Sequence, residues 1–216
     1  MEQIGTVIKK IQQMEQTTTR SFAQEVELFK ATVQKVCPEY EVNSLNKPLL
    51  NEIYKYAIGI PGMFDQKKGL WLWGEVDTGK STMMNILAEF DRAINPRFTG
   101  GFKCVNTSTI AALYAANGVE ALDVYTYNDT SRGSNPITFG FDEIGREPIP
   151  SNHYGNNLNV MQYIFQIRYE LRTRCKTHVT TNMKPSAIGI VYGKYIESRI
   201  TEMFNIVEVN DLHHRK

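Results

Sequence analysis

Apolar positions along this chain follow two different rhythms. Over residues 4–14, Ile4, Val7, Ile8, Ile11 and Met14 share one helical face. Thr17, Thr18 and Thr19 interrupt that pattern. A second helix is predicted to start near Ser21, because Ser21 and Gln24 have capping-box spacing. Along it Phe22, Val26, Phe29, Val33 and Val36 recur at steps of four and three, a narrow apolar stripe. Two uses fit such a stripe: packing on the protein's own core, or docking to a partner helix. Cys37-Pro38 closes this helix. A third is predicted over residues 48–57, with Pro48 near its first turn and Gly59 just past its end.

From residue 69 the rhythm shortens. Leu70-Trp71-Leu72-Trp73 is a short apolar run ending at Gly74, which suits a buried strand. Further strands are predicted at 102–105, 137–142, 178–181 and 206–209. Helices are predicted at 81–93, 107–116, 158–172 and 192–204. Residues 128–136 have loop composition. Strands alternating with helices imply an α/β fold, a parallel sheet with helices on both faces. The chain thus divides into an N-terminal helical extension, residues 1–45, and an α/β core, residues 46–216.

Composition narrows the field. In 216 residues, 42% are hydrophobic and 22% charged, which is ordinary for a globular protein and argues against disorder. Lys plus Arg is 24 and Asp plus Glu 23, so bulk charge does not drive binding to nucleic acid, although a local basic patch is compatible with that balance. Cys37, Cys104 and Cys175 are widely spaced and odd in number, which argues against a disulfide framework or a zinc ribbon. Free thiols fit a reducing compartment. The amphipathic N-terminus contains acids, unlike a signal peptide, and no apolar run approaches 18 residues. The expectation is a soluble, cytoplasmic protein with no membrane partner. His153, His178, His213 and His214 lack metal-ligand spacing.

The strongest chemistry lies at Gly74-Glu75-Val76-Asp77-Thr78-Gly79-Lys80-Ser81, followed by Thr82. This is G-x-x-x-x-G-K-S/T between a predicted strand and a predicted helix. Such a loop wraps a phosphate with backbone N–H groups, and bulk at the glycines would block the approach. The helix that follows aims its positive end at the same phosphates. Lys80 is placed to reach the β- and γ-phosphates, and Ser81 to ligate Mg²⁺. Glu75 and Asp77 are unusual beside a polyanion. Aspartate tolerates left-handed backbone angles, so Asp77 can stand in for a glycine. Some loss of nucleotide affinity is expected from the two acids.

The strand at 137–142 delivers adjacent acids, Asp142 and Glu143, at its C-terminal end, where open α/β sheets place their ligands. Asp142 is expected to hold the Mg²⁺, and Glu143 to orient and polarise the attacking water. A third strand ends in Thr180-Thr181-Asn182. If it lies between the other two, Asn182 points at the γ-phosphate. Its other plausible role is a helix cap.

With these elements in order, the chain resembles the AAA+ P-loop ATPases, and among them the DnaC/IstB group of helicase loaders and transposition helpers. The resemblance covers roughly residues 46–216. It rests on Gly74–Ser81 (Walker A), Phe139–Glu143 (Walker B), Thr180-Thr181-Asn182 (sensor 1), Ile167-Arg168-Tyr169 and Glu197-Ser198-Arg199-Ile200. It implies ATP and Mg²⁺ as ligands. It also implies that Arg199 is an arginine finger acting in the next subunit's site, which requires an ATP-dependent homo-oligomer. Family members often end in a Gly-x-Ser-x-Arg-like stretch. Here only Arg215 matches, without the Gly and Ser. The short tail leaves no room for a C-terminal helical lid, as in the loader and transposition-helper group.

Signals for nucleic acid are thinner. Arg168, Arg172, Arg174 and Lys176 cluster at a helix end, as DNA contacts or as cations favoured by the helix C-terminus. Tyr114, Tyr125, Tyr127 and Arg132 precede Walker B, where aromatics and a cation can stack single-stranded bases or simply pack. The expected function is an ATP-hydrolysing, DnaC-like replication protein acting on single-stranded DNA, with residues 1–45 docking a replicative helicase. The alternatives are a transposition helper with a transposase partner, and a nucleotide-dependent binding module with little hydrolysis.

Overall fold

The structure is a computed structural model that describes residues 20–95, 101–127 and 135–210. The helix expected over 4–14, Arg132 and Arg215 lie outside the described residues.

The described chain opens with α1 (Phe22–Val36), capped by Ser21 and Gln24 in the reciprocal box that their spacing predicts. Helix α2 (Lys47–Ile58) has Pro48 in its first turn and ends at Gly59 in the left-handed conformation. Then come β1 (Gly69–Trp73), α3 (Lys80–Ile94), β2 (Lys103–Asn106), α4 (Thr107–Asn117) and the one-turn α5 (Asp123–Thr126). They are followed by β3 (Phe139–Ile144), a hairpin of β4 (Ser151–His153) and β5 (Asn156–Leu158), and α6 (Val160–Glu170). The chain continues through β6 (Thr177–Thr181), α7 (Ile188–Tyr192), α8 (Lys194–Met203) and β7 (Phe204–Glu208).

Five strands form one parallel sheet in the order β2-β3-β6-β1-β7. Alternation along β1 shows its two faces. Leu70 and Leu72 pack with α1, α2 and α3, whereas Trp71 packs among residues of α4, α6, α7 and α8 on the other side. Helices therefore cover both faces, as a parallel sheet requires.

Most of the stripe on α1 packs on the protein's own core. Phe29 and Val33 are buried in the core, where Phe29 meets Phe90 edge-on at 4.9 Å, while Phe22 at the N-terminal end stays exposed. The helix expected over 192–204 is observed as α8, which starts after Gly193 (φ 84°, ψ 155°); the short α7 just before it was not expected. The β4–β5 hairpin was not foreseen, because Ser151–Leu158 is mostly polar and has no apolar alternation.

His178 shows how dry the sheet centre is. It is fully buried in β6, its ring stacked 4.5 Å from that of Phe102. Its Nδ1 accepts the Leu70 N–H at 3.1 Å, which places the proton of the neutral ring on Nε2. Burial pushes its pKa down to about 3, with Lys176 and Arg168 adding to the effect. At pH 7 the ring is neutral folded and unfolded, so it adds no pH dependence there. Below about 6.5 the unfolded chain takes up a proton that the folded chain refuses until about 3. Stability therefore falls with pH through that window, by about 2 kcal/mol at pH 5. In urea unfolding, wild type is expected to lose about that much more than His178→Gln between pH 7 and pH 5. Equal losses would show that the ring is not held neutral.

Candidate nucleotide site

The glycine-rich loop leaves β1 at Gly74 and enters α3 at Lys80. Gly74 is required by close approach: a Cβ there would lie 2.2 Å from the Val209 carbonyl oxygen. Gly79 (φ 87°) and Asp77 (φ 62°) are both left-handed, so Asp77 takes the conformational place of a glycine as expected. The Glu75 carbonyl oxygen accepts both the Thr78 hydroxyl (3.0 Å) and the Lys80 ammonium. Lys80 also donates to Thr78 Oγ1 at 3.2 Å. Desolvation lowers the Lys80 pKa, opposed by attraction to Asp142, Asp77, Glu75 and Glu143.

Strand order brings the other pieces to this loop. The strand carrying Asn182, β6, lies between β1 and β3. The loop, the acid pair and Asn182 thus emerge side by side at the C-terminal edge of the sheet. A cleft of about 180 Å³ is lined by Val76, Asp77, Lys80, Ser81 and Thr82 on one side and by Glu143, Arg146, Thr180 and Asn182 on the other. Asp142 Oδ1 accepts from Ser81 Oγ at 2.7 Å and from the Thr180 hydroxyl. A hydroxyl and a carboxylate in contact beside a phosphate loop are a hard-oxygen pair, the donor set that suits Mg²⁺.

Glu143 is held in an uncommon conformation. Its φ of 62° is left-handed, and the β3–β6 register shifts between Phe141 and Ile144. Two threonines stabilise the bend: Glu143 N–H donates to Thr180 Oγ1 (3.0 Å), and its carbonyl accepts from Thr107 Oγ1 (2.9 Å). Its carboxylate accepts from Asn106 Nδ2 at 2.7 Å and pairs with Arg146. Just beyond, Glu147 is buried, accepting from the Gly145 N–H and the Tyr192 hydroxyl, which fixes the turn after β3.

Asn106, Thr107 and Arg146 were missed in the sequence. The sequence marked Asn106 only as a polar residue between a predicted strand and a predicted helix; that its strand lies beside β3 is seen in the structure. Asn106 also caps α4, accepting from the Ser108 N–H.

The proposed nucleic-acid residues separate sharply. Arg168 has no exposed surface and is not a DNA contact. Its guanidinium donates to Thr177 Oγ1 (2.7 Å) and to the carbonyls of Tyr125, Ile137 and Lys176, and lies over the rings of Phe139 and Phe141. It ties α6 to the neighbouring loops and strands. Arg168→Met is expected to cost about 3–5 kcal/mol in urea unfolding, because several buried carbonyls lose their donor. A loss below 1 kcal/mol would contradict that role. Tyr114 is likewise buried, its hydroxyl donating to the Asn156 carbonyl, so it cannot stack bases. Arg172 remains part-exposed, its guanidinium 4.0 Å from the Tyr169 ring.

Arg199 lies on α8, away from the residues lining the cleft. Its guanidinium stacks on Tyr195 (3.5 Å) and Tyr169 (4.7 Å) and donates to the Tyr195 carbonyl. Among the described residues, no helix is long and apolar enough to cross a membrane.

No protein-family model and no curated protein sequence matches the chain. Solved structures do. A chain described as a candidate primosome component from Streptococcus pyogenes serotype M3 aligns with TM-score 0.58 and 16% identity, over 86% of this chain and 98% of that one. The DnaC helicase loader aligns with TM-score 0.55 and 16% identity, over 81% and 95%. DnaI aligns with TM-score 0.55 and 14% identity, over 83% and 93%. Taken with the strand order and the loop at the end of β1, these likenesses show that the chain has the AAA+ P-loop fold in the form seen in DnaC and DnaI.

Proposed function

We propose that this chain is an ATP-hydrolysing helicase-loader-type protein that acts on single-stranded DNA. The observation that carries the reading is the meeting of Ser81, Asp142 and Glu143 across the mouth of the phosphate loop. Likeness in fold to the DnaC helicase loader and to DnaI supports the loader assignment within that chemistry.

The residues divide the work as follows. Loop N–H groups and Lys80 bind the β- and γ-phosphates of ATP. Ser81 and Asp142 would hold Mg²⁺, which supplies charge neutralisation between the phosphates. Asn182 positions water, and Glu143 takes its proton. The Glu143 carboxylate accepts from Asn106 on one oxygen and from Arg146 on the other, and each oxygen keeps a lone pair for water. Arg199 serves the neighbouring subunit's site, in keeping with its not lining its own cleft, so the active form is a homo-oligomer. Residues 1–45 engage the replicative helicase, with Phe22 exposed at the start of α1.

The test is steady-state ATP hydrolysis by the full chain, with and without single-stranded DNA and the host's replicative helicase. DNA-stimulated turnover and a stable complex with the helicase are expected. Capture of a transposase instead would assign the chain to the transposition helpers. Tight ATP binding without turnover under any condition would make it a nucleotide-dependent binding module.

A further inference from the structure

At the opposite edge of the sheet from the phosphate loop lies a second, larger cleft of about 710 Å³. It opens at Gly69 and Thr177, the N-terminal ends of β1 and β6. The length of β1 puts it roughly 17 Å from the loop. Most of its lining comes from two segments distant in sequence, the approach to β1 and the connection from α6 to β6, with Thr138 before β3 and Glu202 and Met203 at the end of α8 completing it.

Those segments contribute Lys67, Lys68, Arg172, Arg174 and Lys176, against the carboxylates of Asp65 and Glu202. The excess of three positive charges gathers in a chain whose total is only +1. Local structure accounts for part of it. Arg172 donates to the Tyr169 carbonyl at the end of α6 (2.8 Å), and Lys68 to the Thr201 carbonyl near the end of α8 (2.7 Å). These bonds anchor two cations on the wall. Lys67 and Arg174 are exposed at the rim. The Lys176 ammonium is half-buried over the Tyr56 ring at 4.6 Å, and Asp91 and Asp65 attract it. A desolvated cation of that kind gains most from an anion brought to it. Thr138 also lines the cleft; its hydroxyl oxygen accepts the Lys176 N–H and keeps its own proton to donate, whereas the Thr177 hydroxyl is turned to the buried Arg168.

We infer that this basal cleft binds the phosphodiester backbone of a single strand of nucleic acid. Cations from both segments, spread along one cleft beside the Thr138 hydroxyl, match an extended polyanion better than one compact phosphate. The inference rests on the reading of the chain as a protein that acts on single-stranded DNA, and names where the strand lies. It differs from the expected contacts in two ways. Arg168 is excluded by burial, and Lys67 and Lys68 join from a segment that carried no DNA signal in the sequence.

The test is fluorescence anisotropy of a labelled 20-nucleotide oligo-dT with the full chain, titrated at several salt concentrations. The comparison is wild type against the double variant Lys67→Ala, Arg174→Ala, both exposed and outside the nucleotide cleft. The variant is expected to bind at least tenfold more weakly at about 0.1 M salt. Its log K against log salt slope should be shallower by about 1.4, the value for two lost phosphate contacts on a single strand. ATP affinity should be unchanged. If wild type binds the strand and the variant matches it in affinity and slope, the cleft is not the site, and the DNA-acting reading stands. If wild type binds no strand in either nucleotide state, both fall. Displacement of the oligonucleotide by low-millimolar inorganic phosphate at constant ionic strength would mark a small-anion site and overturn the strand assignment. Equal displacement by poly-glutamate of matched charge would assign the cleft to acidic protein.

Discussion

Lys80→Ala is expected to lower nucleotide affinity up to about a hundredfold, taking it out of the micromolar range. Lys80 is the cation nearest the loop interior, and four carboxylates act on it: Asp142, Asp77, Glu75 and Glu143. The other cation lining the cleft, Arg146, is paired with Glu143. Without Lys80 a triphosphate would enter a site whose net local charge is negative, which this loop tolerates poorly because Glu75 and Asp77 replace the usual neutral residues. Losing one charged hydrogen-bonding partner to phosphate costs up to about 3 kcal/mol, and each 1.4 kcal/mol is tenfold. The variant should nonetheless fold. Burial disfavours the Lys80 charge, so removing it relieves desolvation while losing only bonds to Glu75 and Thr78. Calorimetric titration with a non-hydrolysable ATP analogue and Mg²⁺ measures the affinity, and a thermal melt without nucleotide controls for folding. A folded variant that keeps micromolar binding would remove the phosphate-loop assignment.

The candidate nucleotide site was legible because its chemistry is local. The loop needs its glycines, lysine and serine within eight consecutive positions, and Asp77 could be read as a glycine substitute because backbone conformation is a property of one residue. Both acids of β3 stand next to each other. What could not be read was whatever depends on strand order. Asn106 reaches Glu143 only because β2 pairs with β3, and Thr180 meets Asp142 only because β6 lies on the other side. Arg168 shows the converse error. A cation at a helix end usually faces water. Here the cage of carbonyls that buries it comes from residues 125, 137 and 176, and no helical periodicity reports that. The α/β class followed from alternation of apolar runs with helical stripes. The β4–β5 hairpin escaped because its turn, Tyr154-Gly155, joins strands with too few apolar residues to show a period of two.

Glu143→Gln separates binding from chemistry. Glutamine keeps the length and shape of the side chain, and its carbonyl oxygen can still accept from Asn106 Nδ2, so the left-handed turn held by Thr107 and Thr180 is preserved. The lost ion pair with Arg146 is exposed and worth little. Asp142, Ser81 and Lys80 are untouched, so ATP affinity should stay within a few-fold of wild type. What disappears is the proton acceptor, and a positioned general base is worth roughly 10²–10⁴ in rate. Turnover is therefore expected to fall at least tenfold, measured by phosphate release at saturating ATP. Asn106→Ala is the informative partner. It frees one oxygen of the Glu143 carboxylate without removing the base. If Asn106 restrains Glu143, basal hydrolysis should rise in that variant and depend less on DNA, whereas Glu143→Gln stays slow under all conditions. Wild-type turnover in Glu143→Gln would show that the base is another group, and the Asn106 bond would then be merely structural.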